Sequence, residues 1–256
     1  MVTIKSLTEI DAMKASGEIL IEVLSILKDS IKAGITTIEL DRIAEKHIRS
    51  RGAIPSFKGY KMEGAVDFPA SICSSLNSEV VHGIPDSREL LNGDIISVDV
   101  GVFFNGFHTD AARTWGVGDI SIEAQNIIDV ARKSFFEGIK FAIQNKRIID
   151  ISGAIEDYVH NAGYSVVTDL TGHGIGRALH EDPAVPNFRS RHKGPRLRAG
   201  MALAIEPMIN MGSSLVKTLE NRWTVVTRDG GLSAHYENTI IVTENEPKII
   251  TLDGEI

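Results

Sequence analysis

Five side chains spread over much of the chain are of types that hold divalent metal ions: Asp99, Asp110, His173, Glu206 and Glu237. The four acids lie in runs that otherwise read as strands, namely Ile95 to Phe104, Phe107 to Trp115, Met201 to Met208 and His235 to Thr243. Acidic residues are depleted in strands, and a lone carboxylate facing a core costs on the order of several kcal/mol. An outward place on an edge strand would account for any one of them. Four together point to a shared cation, and so to a hydrolase whose nucleophile is a metal-activated water.

The turn Asn105-Gly106 fixes the register of its flanking strands. Phe104 then faces Phe107, Gly101 faces Asp110 and Asp99 faces Ala112. Asp99 and Asp110 therefore share a face as diagonal neighbours roughly 7 to 8 Å apart. Such a pair spans two ions about 3.5 to 4 Å apart. A one-residue bulge would break this geometry. His173 sits in Thr171-Gly172-His173-Gly174-Ile175-Gly176-Arg177, where flanking glycines let backbone approach a site closely. By itself that segment fits a metal ligand or a hydrogen-bonded histidine in a tight loop equally well. It satisfies neither of the glycine-rich nucleotide motifs. His180-Glu181 lacks the second histidine of a zincin helix, no serine elbow is present, and Cys73 has no nucleophile signature around it.

The elements that must carry these residues can be read from periodicity. Ser6 with Glu9 forms a capping box ahead of Ile10, Met13, Leu20, Leu24, Leu27 and Ile31, which predicts a helix over 6–34. Thr36 with Glu39 opens a second helix that buries Leu40, Ile43, Ala44 and Ile48 and ends near Gly52. Further helical patterns cover Ser121 to Asn145 and Asp150 to Ala162, and Trp223 to Thr227 reads as one more strand.

The pattern also repeats. Ile38, Leu40, Glu45, Ile48 and Gly52 match Ile149, Ile151, Glu156, Val159 and Gly163 at a constant offset. Gly93 precedes Asp99 by the interval at which Gly200 precedes Glu206, and His108 and Asp110 are spaced like His235 and Glu237. His82-Gly83-Ile84 and His173-Gly174-Ile175 precede the two strand pairs. The expected architecture is α+β: two related halves, about 36–119 and 147–243, each a helix followed by antiparallel strands, forming one catalytic domain over 1–256.

Composition limits the alternatives. A chain of 256 residues with 43% hydrophobic and 24% charged residues can bury a substantial core, which disfavours disorder. Met1 to Lys5 lacks signal-peptide features, and Glu22 interrupts the apolar run Ile19 to Leu27, so neither secretion nor membrane insertion is expected. One cysteine excludes an internal disulfide and any cysteine-rich zinc module, and suits the cytoplasm. A net charge of −7 disfavours broad nucleic-acid binding, and Arg189, Arg191, His192, Lys193, Arg196 and Arg198 read as a solvated loop.

The motifs Val81-His82-Gly83-Ile84-Pro85, Ser97-Val98-Asp99-Val100, Gly106-Phe107-His108-Thr109-Asp110, Gly172-His173-Gly174-Ile175-Gly176 with His180, Ala204-Ile205-Glu206-Pro207-Met208 and Tyr236-Glu237-Asn238-Thr239-Ile240 occur in this order. Together they closely resemble the methionine aminopeptidases of the pita-bread fold, peptidase family M24, from about Ile4 to Thr251. The interval from His180 to Glu206 lacks the helical insertion of type II enzymes, and no N-terminal zinc-finger extension is present, so the pattern is similar to the bacterial type I.

The resemblance implies a fold and roles. Asp110 and Glu237 would bridge two divalent ions (Co, Mn, Fe or Zn), His173 and Glu206 would complete one, and Asp99 would chelate the other. Glu206 would be the general base, His180 would stabilise the oxyanion, and His82 would position the scissile amide or shuttle a proton. The substrate's free α-amine would occupy a metal position. Tyr60, Phe57, Phe68, Cys73 and Trp223 would line the methionine pocket, although Lys61 to Asp67 is longer than usual and Phe57 stands where cysteine is common. His108 and His235 would be supporting groups.

Substrates would be N-terminal methionyl peptides on nascent chains, with room for a transient ribosome association, and the protein would act as a monomer. X-Pro peptidases share the five-ligand pattern but normally carry an additional N-terminal domain. A non-catalytic binding protein of this fold would usually have lost ligands.

Overall fold

Both expected capping boxes form. Ser6 Oγ accepts from the Glu9 amide at 3.3 Å while the Glu9 carboxylate accepts from the Ser6 amide at 2.9 Å. Thr36 and Glu39 reciprocate in the same way at 3.3 and 2.8 Å. These caps start α1 (Leu7–Ser30) and α2 (Thr37–Ser50). The computed structural model describes residues 2–252. Met1 and residues 253–256, part of the span expected of the domain, lie outside the described residues.

Strands β1 (Ile54–Pro55), β2 (Ile72–Leu76) and β3 (Glu79–Val81) follow α2, then the hairpin β4 (Ile95–Phe104) and β5 (Phe107–Gly116). Two helices come next, α3 (Ile122–Ile139) and α4 (Ile148–Asn161). The chain ends in short strands: β6 (Ser165–Val166), β7 (Thr171–Gly174), β8 (Glu181–Pro186), β9 (Ala202–Ile205), β10 (Met208–Asn210), β11 (Val216–Thr218), β12 (Val225–Thr227), β13 (Ser233–His235), β14 (Asn238–Ile241) and β15 (Lys248–Ile249). The architecture is α+β with antiparallel sheets. In one sheet β4 pairs β5 along one edge and β2 and β1 along the other, and a second sheet has the order β15-β14-β9-β7-β8.

The β4–β5 register is the one the turn specifies: Phe104 pairs Phe107, Gly101 pairs Asp110 and Asp99 pairs Ala112. Asn105 and Gly106 both take positive φ, as a two-residue hairpin turn of this kind requires. Strand alternation then sorts the side chains. Val98, Val100, Val102 and Ala111 pack into one core with Leu20, Leu24, Leu27 and Leu40 of the first two helices. Asp99 and Asp110 are consequently turned to the opposite face. In the second sheet Leu203, Ile205 and Ile240 pack with Phe135, Ile151 and Ile155 of α3 and α4, which leaves the face of Ala202 and Ala204 toward the same interior. Each fully buried Leu or Ile contributes roughly 1.5–3 kcal/mol of transfer free energy to these cores.

Several elements differ from expectation. The first helix, expected over 6–34, ends at Ser30, and the strand expected over Trp223 to Thr227 begins at Val225. The helix expected over Ser121 to Asn145 stops at Ile139. Its chain turns so that the Gln144 amide bonds the Thr243 carbonyl, and Asn145 takes a φ of 72°. The expected strands Met201 to Met208 and His235 to Thr243 are both broken, at Glu206-Pro207 and at Tyr236-Glu237. Proline has no amide to give a ladder, and each chain crosses there from one sheet to another. The register survives the break: Ile205 pairs Asn238 before it and Met208 pairs His235 after it. Glu206 and Glu237 thus lie opposite each other in a gap of the ladder.

The two sheets meet at β5. Ala112 and Glu237 exchange both backbone hydrogen bonds, at 3.0 and 3.3 Å. Two residues to either side, a threonine hydroxyl stands in for a backbone bond pair. Thr239 Oγ1 accepts from the Asp110 amide and donates to the Asp110 carbonyl, both at 2.9 Å. Thr114 Oγ1 does the same for His235, also at 2.9 Å. Between them Arg113, 1% exposed, donates to the Ala112 and Glu237 carbonyls and to Asn238 Oδ1, with its plane 4.4 Å from the Tyr236 ring centroid. This junction holds Asp110 of one sheet against Glu237 beside the other.

Candidate metal centre and substrate cleft

Among the described residues, two groups of three side chains have ligand atoms within 4.8 Å of one another: Asp110, His173 and Glu237, and Asp99, His235 and Glu237. They share Glu237. Glu206 adjoins both, with Oε1 3.6 Å from His173 Nε2 and Oε2 3.8 Å from His235 Nε2. His173 reaches the centre because its neighbours have no side chains. A Cβ on Gly172 would fall 2.5 Å from the Ala204 carbonyl oxygen, and one on Gly174 would fall 2.1 Å from that of Asp182. The His173 Nδ1–H donates to the Gly174 carbonyl at 2.8 Å, which fixes the tautomer and leaves the Nε2 lone pair toward the acids.

Burial pushes Asp110, Glu206 and Glu237 well above the ordinary carboxylate range, and the neighbouring carboxylates push them further. The pull of the Arg113 charge on Glu237 is outweighed by burial and by the neighbouring carboxylates. Burial also raises Asp99, against a hydrogen bond from Asp110. The buried oxygens Asp99 Oδ1, Asp110 Oδ1 and Glu237 Oε1 have no hydrogen-bond partner, nor does His235 Nε2. Burial lowers the imidazoles, His82 to about 4 and His173 and His235 to about 3, so all three are neutral near pH 7. Neutral nitrogen donors beside clustered, orphaned carboxylate oxygens are what divalent metal ions require. The residues fit such ions.

The four acids and His173, all five expected ligands, line a cavity of about 520 Å³. His82, His180, Phe57, Tyr60, Phe68, Cys73 and Trp223 line it too. Phe68 and Trp223 meet edge to face at 5.1 Å between centroids, and Trp223 Nε1 donates to the Val66 carbonyl at 2.8 Å. Phe57 lies over Gly101, where a Cβ would come within 2.7 Å of its ring. Tyr60 Oη is 2.7 Å from His180 Nδ1, and the His180 ring is 4.3 Å from that of His173. His82 takes a φ of 58°, a sparsely populated conformation for a residue with a side chain, and its ring lies 6.3 Å from Trp223. A larger groove of about 1110 Å³ borders Glu79, Asp94 and Asp229. Those acids are already bonded, to Arg88 or to the amides of Leu91, Ser213 and Gly231.

Sequence reasoning did not anticipate Lys61, Met62 and Glu63 of the long segment, nor Leu179, as cavity walls. It read His235 as a supporting group, and its Nε2 stands 3.7 Å from Glu237 Oε2, beside the acids. The signal for that place was available, since residues two apart on a strand share a face. His108 stays outside, held by Ser56 at 2.9 Å and stacked 4.5 Å from Phe103.

Fold and centre together define a metallopeptidase. Metallopeptidase family M24 matches residues 11–244. Methionine aminopeptidases of Clostridium perfringens and Clostridium acetobutylicum are 56% and 52% identical to it, each over 98% of this chain and 99% of theirs. The crystal structure of methionine aminopeptidase from Rickettsia prowazekii superposes with a TM-score of 0.94 at 38% identity, covering 98% of this chain and all of that one. The chain belongs to the methionine aminopeptidases of metallopeptidase family M24, and its fold is the pita-bread fold that the motifs implied.

Proposed function

We propose that the chain hydrolyses the N-terminal methionine from nascent polypeptides, with two divalent ions, Co, Mn, Fe or Zn, held by Asp99, Asp110, His173, Glu206 and Glu237. What supports this most is the pair of acid and histidine groups sharing Glu237 beside an aromatic-walled cavity of about 520 Å³. When bound, the ions would supply an activated water and a Lewis acid for the scissile carbonyl.

The remaining work falls to side chains. Glu206, made more basic by burial and by Asp99, takes the proton of the attacking water and passes it to the leaving amine. Burial keeps the Tyr60 phenol protonated, so it donates to His180 Nδ1 and leaves Nε2–H as a donor for the developing oxyanion. His82, neutral and held in its unusual backbone conformation, positions the scissile amide or shuttles a proton. The methionine thioether packs among Phe57, Tyr60, Phe68, Cys73 and Trp223, where sulfur–ring contacts suit it.

The chain acts in the cytoplasm as a monomer, on N-terminal methionyl peptides and in transient contact with the ribosome. Nucleic acid is not its substrate, in keeping with the net charge of −7. No described helix is long and apolar enough to cross a membrane. The test is apoprotein reloaded with each metal in turn and assayed on Met-Ala-Ser, Leu-Ala-Ser and Ala-Pro. Methionine should be released from the first alone. Alanine from Ala-Pro with none from Met-Ala-Ser would overturn the reading, and Asp110→Ala should abolish turnover and metal binding together.

A further inference from the structure

The ligand set implied by the family pattern contains one imidazole, yet two stand in this centre. His235 is 2% exposed, and no hydrogen bond reaches its Nε2. That atom lies 3.7 Å from Glu237 Oε2 and 3.8 Å from Glu206 Oε2. Two ligand atoms bound to one ion at about 2.0–2.2 Å fall roughly 3–4 Å apart, so the spacing suits shared coordination. It is too long for a hydrogen bond. Its main chain is fixed, because Thr114 Oγ1 holds both its amide and its carbonyl at 2.9 Å. Its group with Asp99 and Glu237 mirrors that of His173 with Asp110 and Glu237, one aspartate and one imidazole on each side of a shared glutamate.

We propose that His235 is a sixth protein ligand, giving the ion on the Asp99 side an imidazole of its own, as His173 gives one to its neighbour. This rests on the two-metal reading above. The consequence is selectivity: a position with imidazole takes Zn, Fe, Co or Ni in preference to Mg or Ca, which favour all-oxygen sites.

The test uses zinc alone as the probe. Apoprotein is titrated calorimetrically, and X-ray absorption of the protein carrying two zinc ions counts the imidazoles, for wild type and for His235→Gln. Two ions should bind the wild type, and His235→Gln should weaken the second by at least about tenfold and lose one imidazole from the absorption count. Equal affinity and an equal count in the two proteins would overturn the proposal. Should the variant not fold, the wild-type spectrum decides, since a single imidazole shared between two ions also overturns it. A protein that takes up fewer than two zinc ions overturns the two-metal reading and this proposal with it.

Discussion

Thr239→Val is a sharp probe of how the two sheets hold the centre together. The valine side chain has nearly the shape of threonine but offers no hydroxyl, and Thr239 is fully buried. The substitution strips partners from the Asp110 amide and carbonyl, each now bonded to Oγ1 at 2.9 Å. An orphaned buried backbone group costs about 1–3 kcal/mol, so the pair amounts to about 2–6 kcal/mol. At about 2–4 °C per kcal/mol for a chain of this size, the melting temperature falls by about 4–24 °C. Thr239→Ser keeps the hydroxyl and loses one methyl, at about 1 kcal/mol. Unfolding by urea is measured with chelator present, so that bound ions do not mask the difference. Turnover of Met-Ala-Ser follows the same order. A displacement of about 1 Å at Asp110 is worth about a hundredfold in rate, which Val should show and Ser should not. A valine variant within about 0.5 kcal/mol of wild type, or a serine variant as unstable as valine, would refute the account of the junction.

Two other outcomes follow from the site's electrostatics and contacts. In the metal-free protein, Asp110, Glu206 and Glu237 have raised folded pKa values, so the folded chain holds more protons than the unfolded one and stability falls as pH rises. Below about pH 6.5 the buried histidines, lowered to about 3 or 4, oppose this. Between pH 7 and 8.5 the histidines no longer oppose the acids, and the Cys73 thiol, raised by burial, acts in the same direction. Calorimetric melting with chelator should therefore decline across that window, while stabilisation by added cobalt should grow. A metal-free melting temperature that rises from pH 7 to 8.5 would contradict the reading. Tyr60→Phe removes the 2.7 Å contact to His180 Nδ1. It should lower kcat about two- to tenfold with KM changed less than twofold, and a rise in KM alone would assign Tyr60 to binding only.

Much of the site is legible because its strongest constraints are local. The Asn105-Gly106 turn fixes one register, and register fixes which side of β4 and β5 Asp99 and Asp110 occupy. The capping boxes at Ser6 and Thr36 are contained within four residues each and form as expected. Glu206 and Glu237 were less legible. Their runs read as unbroken strands, since periodicity reports the face a residue takes but not where a ladder stops. Pro207 was the available hint.

What the sequence by itself determined is which side chains could hold a metal ion and the α+β character that carries them. Side-chain type and strand period are properties of short segments. Only the tertiary structure decided that Glu206 and Glu237 face each other across a gap, that threonine hydroxyls join the sheets at Asp110 and His235, and that His235 stands among the acids. The first joins residues at the breaks of different strands, and the junction joins residues more than a hundred positions apart. Their geometry follows from how two sheets pack against one another, which no local pattern encodes.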